Sequence, residues 1–258
     1  MLEHNRDLII PKFIVRSLIE LGLGYTSISE INKRFAECLK NKWQNINELM
    51  KFDKENNIPA TFFIGVAKGK GLCYSLDNAK IWIRRILKEG FDVGVHGIAY
   101  DNYELIKTEF DTFKNISEMT SFGIRMHYLR NNEYTLNFLN KAEYLFDSTI
   151  YELRNPYKVG NLWEFPLHIM DSYMFYKNAR WQNQKLGDAQ EATKKMIEEG
   201  IKRNLNYFTI LFHDRNFSNS FQILKDWYIW LIEYLKTNKF ELISYRDAIK
   251  ELELNFSK

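Results

Sequence analysis

The stretch Phe91-Asp92-Val93-Gly94-Val95-His96-Gly97-Ile98-Ala99-Tyr100-Asp101 decides how the rest of the chain is read. Phe91, Val93 and Val95 alternate with Asp92 and Gly94, the period of a strand. The strand delivers His96 at its end, and Gly97 strips the neighbouring backbone of a side chain. In parallel α/β folds, side chains at the C-terminal ends of strands carry the chemistry.

The same arrangement recurs along the chain. Of the 5 histidines, His96, His127, His168 and His213 each stand where an apolar run ends, and His4 does not. If those runs are parallel strands of one barrel, the four imidazoles share one rim, with Asp101, Arg125, Tyr128, Arg130, Asp171, Asp214 and Arg215 beside them. Imidazoles and carboxylates together suit a divalent metal and hydrolysis.

Around these runs the chain alternates. Ala60–Gly65 is a short apolar run bounded by Pro59 and Gly65, as in a buried strand. Asp77 caps a helix to Lys88 with Ile81, Trp82, Ile86 and Leu87 inward, and Gly90 ends it. Helices are expected over 101–118, 133–141, 188–203, 221–235 and 247–252. Further strands are expected at 122–127, 144–148, 162–168, 207–213 and 240–244, and residues 172–186 read as a long loop. Before the first strand, helices are expected over 12–21, over 27–38 with Ser27 and Glu30 at capping-box spacing, and over 43–56. The pattern is α/β, a (β/α) barrel in a single domain over 1–258 with an atypical helical segment at 1–42.

Composition narrows the function. The chain has 258 residues with a formal net charge of +3, too small to argue for nucleic acid. It contains 2 cysteines, in different segments, which is no disulfide framework and fits a cytoplasmic protein. No run approaches the ~18 apolar residues of a membrane span, and neither a signal peptide nor low-complexity sequence is visible. The glycines at 65–71 lack the closing Lys-Ser/Thr of a phosphate loop. The aromatic fraction of 16% offers Trp163, Phe175, Tyr176 and Trp181 as rings to stack on sugars or to pack over the barrel.

Four segments together resemble the polysaccharide deacetylases, the NodB-like carbohydrate esterases with a distorted (β/α) barrel. Ala60-Thr61-Phe62-Phe63-Ile64-Gly65 is similar to the family's second strand. Gly90 to Gly97 is similar to its metal-histidine strand. Gly123-Ile124-Arg125-Met126-His127-Tyr128-Leu129-Arg130 stands where the family has an Arg-x-Pro-Tyr motif, and Leu211-Phe212-His213-Asp214 matches its final leucine-histidine motif. The resemblance runs from about Trp43 to Leu252. The His-Tyr-Leu-Arg form is like a branch that accompanies cell-surface polysaccharide genes.

The resemblance implies a hydrolase that removes an N-acyl group from a sugar in cell-surface glycan metabolism. It implies a divalent metal, zinc or a similar ion, on His96, with His127 as a substitute ligand in an incomplete site. It implies His213 as the acid that protonates the leaving amine, oriented by Asp171 or Asp214. It makes Arg125 the clamp on a carboxylate or substrate oxygen and Tyr128 a donor to the oxyanion. Tyr100, Asp101, Arg130, Asp171 and Trp163 are then candidates for substrate contact. The implied partner is a carbohydrate or glycan precursor, and a homo-oligomer is left open.

Two departures stand against this. The family's opening strand with its Asp pair has no match; Asp7 is the nearest candidate, and the first strand is expected to be altered or to lie upstream of Met1. Tyr100 occupies the place of the family's second metal histidine, and tyrosine is a poor ligand while its phenol holds its proton. These departures leave two alternatives: a sugar-binding or scaffold protein of the same fold, and a deformylase-type amidohydrolase acting on a nucleotide- or lipid-linked sugar.

Overall fold

The computed structural model describes residues 6–40, 42–69, 72 and 74–256. It contains α1 (Arg6–Gly22), α2 (Ile28–Leu39), α3 (Ile46–Glu55), β1 (Thr61–Ile64), α4 (Leu76–Lys88), β2 (Asp92–Gly97), α5 (Tyr103–Ser117), β3 (Ile124–Met126), α6 (Thr135–Lys141) and β4 (Phe146–Asp147). It continues with β5 (Tyr157–Val159), β6 (Leu162–Glu164), β7 (Leu167–Met170), α7 (Asp171–Phe175), α8 (Leu186–Lys202), β8 (Thr209–Leu211), α9 (Gln222–Thr237) and α10 (Tyr245–Phe256). The chain divides into two compact units, Met1–Leu49 with His168–Glu241, and Met50–Leu167 with Leu242–Lys258.

The second unit is built on a six-stranded sheet in the order β1-β2-β3-β4-β6-β5. Its strands run parallel except β5, which turns back on β6 as an antiparallel hairpin through Gly160 (φ +62). The strands are short, apolar and buried, as expected where helices cover a parallel sheet. Val93, Val95, Ile124, Met126 and Phe146 are all buried, and Ala79, Ile83 and Ile86 of α4 and Phe110 and Phe113 of α5 are buried with them. Register brings His96 beside Arg125 and Gly97 beside Met126.

Gly97 does not open the backbone to solvent, as its place next to His96 suggested. A Cβ there would lie 2.7 Å from the Met126 sulfur and 2.8 Å from Ile124 Cδ1, so any larger residue would have to displace those side chains. Likewise α4 is capped by Ser75, whose side chain accepts the Asn78 N–H, not by Asp77. Its buried face is Ala79, Ile83 and Ile86, and Ile81 is exposed.

The first unit contains α1, α2, the β7–β8 pair from His168 onward, α7, α8 and α9. The capping box of α2 is present as the sequence predicts, with Glu30 N donating to Ser27 Oγ at 3.1 Å and Ser27 N donating to Glu30 Oε2 at 3.1 Å. Helix α1 starts at Arg6, upstream of Pro11, rather than at Lys12. Arg34, 1% exposed, ties α2 to α1 through Glu20 at 2.6 Å and to the Ser220 carbonyl at 2.8 Å. A charge that deeply buried is tolerated because it is paired and hydrogen-bonded.

Three further expectations are corrected. The run at 162–168 is two strands, β6 and β7, separated at Phe165 and Pro166, because proline has no N–H for the ladder. The run at 240–244 forms no strand. Residues 172–186 are not loop throughout, since α7 occupies the first of them. Neither sheet closes into a ring among the described residues.

Candidate functional site

In the first unit, β7 ends at Met170 and the chain turns directly into α7 with Asp171 as its first residue. β8 ends at Leu211, two residues before His213. Pairing of β7 with β8 therefore sets Asp171 beside His213. Asp171 is fully buried. Its Oδ1 accepts from His213 Nδ1 at 2.7 Å, and its Oδ2 accepts from the His213 backbone N–H at 2.8 Å and from Asn216 Nδ2 at 2.8 Å. Its own helix N-terminus adds the Ser172 N–H to Oδ1 at 2.6 Å.

Burial pushes the Asp171 carboxyl up. The charge of His213 and the hydrogen bonds from His213 and Asn216 outweigh that effect and hold it below the usual carboxylate range. A carboxylate only accepts, so His213 carries its proton on Nδ1 and the ring's basic position is Nε2. The imidazole side chain is 53% exposed, whereas its carboxylate partner is 0%. A buried, ionised carboxylate behind an accessible imidazole fixes the ring's tautomer, the arrangement that general acid–base chemistry uses.

Of the two orienting residues expected from the sequence, Asp171 holds His213. Asp214 does not: its carboxylate accepts the Asn45 N–H at 3.0 Å and fixes the chain entering α3. Asp171 in turn is sealed from solvent and is not a substrate contact. Arg215 leaves the site as well, its guanidinium lying 4.6 Å from the Phe13 ring and 4.5 Å from the Trp43 ring. His168 sits inside β7 rather than at its end, 2% exposed, and its Nδ1 accepts the Thr209 N–H at 3.0 Å. It is a core histidine.

In the second unit, β2 and β3 bring His96 and His127 together. His96 Nδ1 lies 3.1 Å from the Arg125 carbonyl oxygen, which only accepts, so that nitrogen carries the proton. The Nε2 lone pair then faces His127 Nδ1 at 3.0 Å, and His127 donates. The rings meet edge to face at 4.9 Å. His127 begins a single 3-10 turn, His127–Leu129, in which Tyr128 (φ 60) and Leu129 (φ 52) are both left-handed. Two consecutive non-glycine residues in that region carry backbone strain of about 1–3 kcal/mol each. The turn leaves Tyr128 65% exposed.

The loop after β2 is held from beneath by a carboxylate that sequence reading missed. Glu109 of α5, 5% exposed, accepts the Ile98 N–H at 2.9 Å and the Ala99 N–H at 2.7 Å. Burial pushes its carboxyl up, against the pull of those backbone bonds and of Arg130. From above, Arg130 donates to the Ile98 carbonyl at 2.8 Å and lies 5.2 Å from the Tyr100 ring. So Tyr100, Arg130, His96 and His127 gather around one loop, and Asp101 is exposed at its far end.

Arg125 is buried, and its donors are turned inward. Nε donates to the Ser148 carbonyl at 2.9 Å, and one terminal nitrogen donates to Ser148 Oγ at 2.7 Å and to the Tyr245 hydroxyl at 2.8 Å. It clamps the end of β4 to α10 rather than a substrate oxygen. Trp163, 1% exposed, is core and not a sugar platform.

The implied metal does not fit these residues. Among the described residues no group of three or more His, Cys, Asp or Glu side chains converges. Zinc takes three protein ligands in catalytic sites and four in structural ones. The Nε2 lone pair of His96, the donor a metal would take, is directed at the His127 N–H. The nearest counterpart of a missing aspartate, Asp7, lies in α1, and its side chain is outside the described residues.

Comparison with solved structures agrees with the architecture. A polysaccharide deacetylase of Mycobacterium smegmatis, described as putative, superposes with a TM-score of 0.58 at 14% identity, over 84% of this chain and 86% of that one. The fold is that of the polysaccharide deacetylases. Puue allantoinase shares this NodB-like fold with a TM-score of 0.60 at 16% identity, over 79% of this chain and 70% of that one. A probable polysaccharide deacetylase of Pseudomonas aeruginosa PAO1 matches at 0.56 and 14% identity, over 79% and 71%. No family model and no curated protein sequence matches the chain. No helix among the described residues is long and apolar enough to cross a membrane.

Proposed function

We propose that this deacetylase-fold protein is a hydrolase that removes an N-acyl group from a sugar of a cell-surface glycan or its precursor, with His213 as the proton-transfer group. One observation carries the reading: an accessible imidazole whose Nδ1–H is held at 2.7 Å by the buried Asp171 carboxylate. With the proton fixed on Nδ1, Nε2 takes the proton of a water attacking the amide carbon. The imidazolium is stabilised by Asp171 and returns the proton to the departing nitrogen, which leaves as an amine. Asn216 and the His213 backbone N–H keep the carboxylate ionised and aligned throughout.

The test is release of acetate from N-acetylated oligosaccharides by the purified chain. The reading requires turnover that His213→Ala reduces by about 10²-fold or more. A second reading, a glycan-binding protein of the same fold without turnover, is favoured by the bond between His96 and His127, which withdraws the family's metal histidine from metal binding. Saturable oligosaccharide binding with no acetate released, by wild type and variant alike, selects that second reading.

A further inference from the structure

Four rings were candidates to stack on a sugar, and burial separates them. Trp163 and Phe175 are core. Tyr176 and Trp181 are half-buried and line an open depression of about 490 Å³ with Asn178, Ala179 and Arg180. The depression is formed by one loop, and the loop is tied down. Asn183 N donates to the Phe175 carbonyl at 2.9 Å, Asn183 Nδ2 to the Lys177 carbonyl at 2.6 Å, and Gln182 N to Glu20 at 2.8 Å. The Arg16 guanidinium lies 4.2 Å from the Tyr176 ring centroid and is itself held by Glu20 at 2.9 Å, so the ring is braced by α1.

The charge of this loop is one-sided. Between Asp171 and Asp188 the chain carries Lys177, Arg180 and Lys185 and no acidic residue. Arg180 is exposed at the depression. The position is also informative. Tyr176 caps the C-terminal end of α7, whose first residue is Asp171. At ~1.5 Å rise per residue the helix spans on the order of 8 Å, the reach of one or two sugar rings from the His213–Asp171 pair.

We infer that this depression is a subsite for a carboxylate-bearing sugar, a uronic acid or its like, whose apolar ring face rests on Trp181 and Tyr176 while its carboxylate pairs with Arg180. The inference rests on the glycan reading above and narrows it to an acidic glycan. Aromatic rings supply sequence-tolerant stacking area, and a guanidinium supplies a planar fork for a carboxylate.

Calorimetric titration of the purified full chain with a galacturonic acid trimer, against an N-acetylglucosamine trimer as neutral match, tests it. The acidic trimer is expected to bind about tenfold or more tightly than the neutral one at low salt, with the advantage shrinking as salt rises. Arg180→Gln, at an exposed side chain, is expected to erase the advantage, and Trp181→Ala to weaken both sugars. Equal binding of the two trimers, or an advantage that Arg180→Gln leaves intact, overturns the subsite. Acetate release from N-acetylated oligosaccharides together with equal binding of the acidic and neutral trimers overturns the subsite and leaves the hydrolase standing. Arg180-dependent binding of the acidic trimer with no amide cleavage on any N-acylated sugar supports the subsite and removes the hydrolase.

Discussion

Asp147 of β4 and Glu164 of β6 are cross-strand partners, and both are completely buried. Two cross-strand carboxylates in a dry interior cannot both ionise without a large cost, so one of them keeps its proton. Burial pushes both carboxyls up, Glu164 well above its ordinary value with the charge of Asp147 adding to the rise. Around the pair, Thr149 donates to Asp147 at 2.6 Å, the Ile150 N–H donates to Glu164 at 3.0 Å, the Arg125 charge pulls both carboxyls down, and burial, with the charge of Glu164, pushes the Tyr157 phenol of β5 up to about 12.

This pair makes stability fall as pH rises. The folded state binds a proton on Glu164 that the unfolded state releases at its ordinary value of about 4.3. The stabilisation is fully present below that value and is lost as pH climbs toward and through the raised folded value, at up to about 1.4 kcal/mol per pH unit. Urea unfolding between pH 5 and 8 is expected to show this decline, and Glu164→Gln, which cannot ionise, to flatten it. A wild type and variant with parallel pH profiles would rule out a retained proton.

Asp171→Asn is expected to lower turnover by about 10²–10⁴-fold, because the amide no longer fixes the His213 tautomer. It also sets an amide against four N–H donors and costs about 1–3 kcal/mol. The sign of the pH effect is opposite to that of Glu164. The Asp171 carboxyl is held low, so its contribution is complete above its unfolded value of about 3.9 and is lost as pH falls through the folded value. The gap in stability between wild type and Asp171→Asn is therefore expected to close in acid, measurable by thermal unfolding from pH 7 to pH 3.

Arg125→Ala is expected to destabilise the chain by about 3–5 kcal/mol in denaturant titration. It removes the donors to Ser148 and Tyr245 and a cation that pulls both buried carboxyls down. Arg125→Lys recovers little of this, since an ammonium cannot donate along both directions of the guanidinium fork. An arginine that mainly contacted substrate would instead raise KM and leave unfolding unchanged.

Metal removal is expected to change nothing. Elemental analysis of protein purified without added metal should find well under one equivalent of zinc, and a chelator should leave the midpoint of thermal unfolding where it was. One tightly held equivalent that His96→Ala abolishes would show that the imidazole pair opens to take an ion.

Gly97→Ala is expected to cost about 1–3 kcal/mol by overpacking, since the new methyl meets the Met126 sulfur and Ile124. Gly123→Ala is expected to cost more, because its methyl would fall on the ring of Phe146. Both are read by urea unfolding, and a neutral Gly97→Ala would return that glycine to a role in opening the backbone.

What the sequence by itself determined was local. The capping box at Ser27 and Glu30, the alternation of Phe91, Val93 and Val95, and the glycine that ends α4 depend on neighbours a few residues away, and they stand as read. The deacetylase fold was legible for the same reason, as short motifs kept in order. Tertiary structure decided which distant groups meet. Strand pairing, not spacing, chose Asp171 over Asp214 for His213, set Asp147 against Glu164, and turned Arg125 inward to Ser148. The register of β2 and β3 set His127 against His96, and the two imidazoles share a hydrogen bond. Side-chain chemistry is written residue by residue, but a proton's position depends on what lies within about 3 Å, and only the folded chain sets that distance.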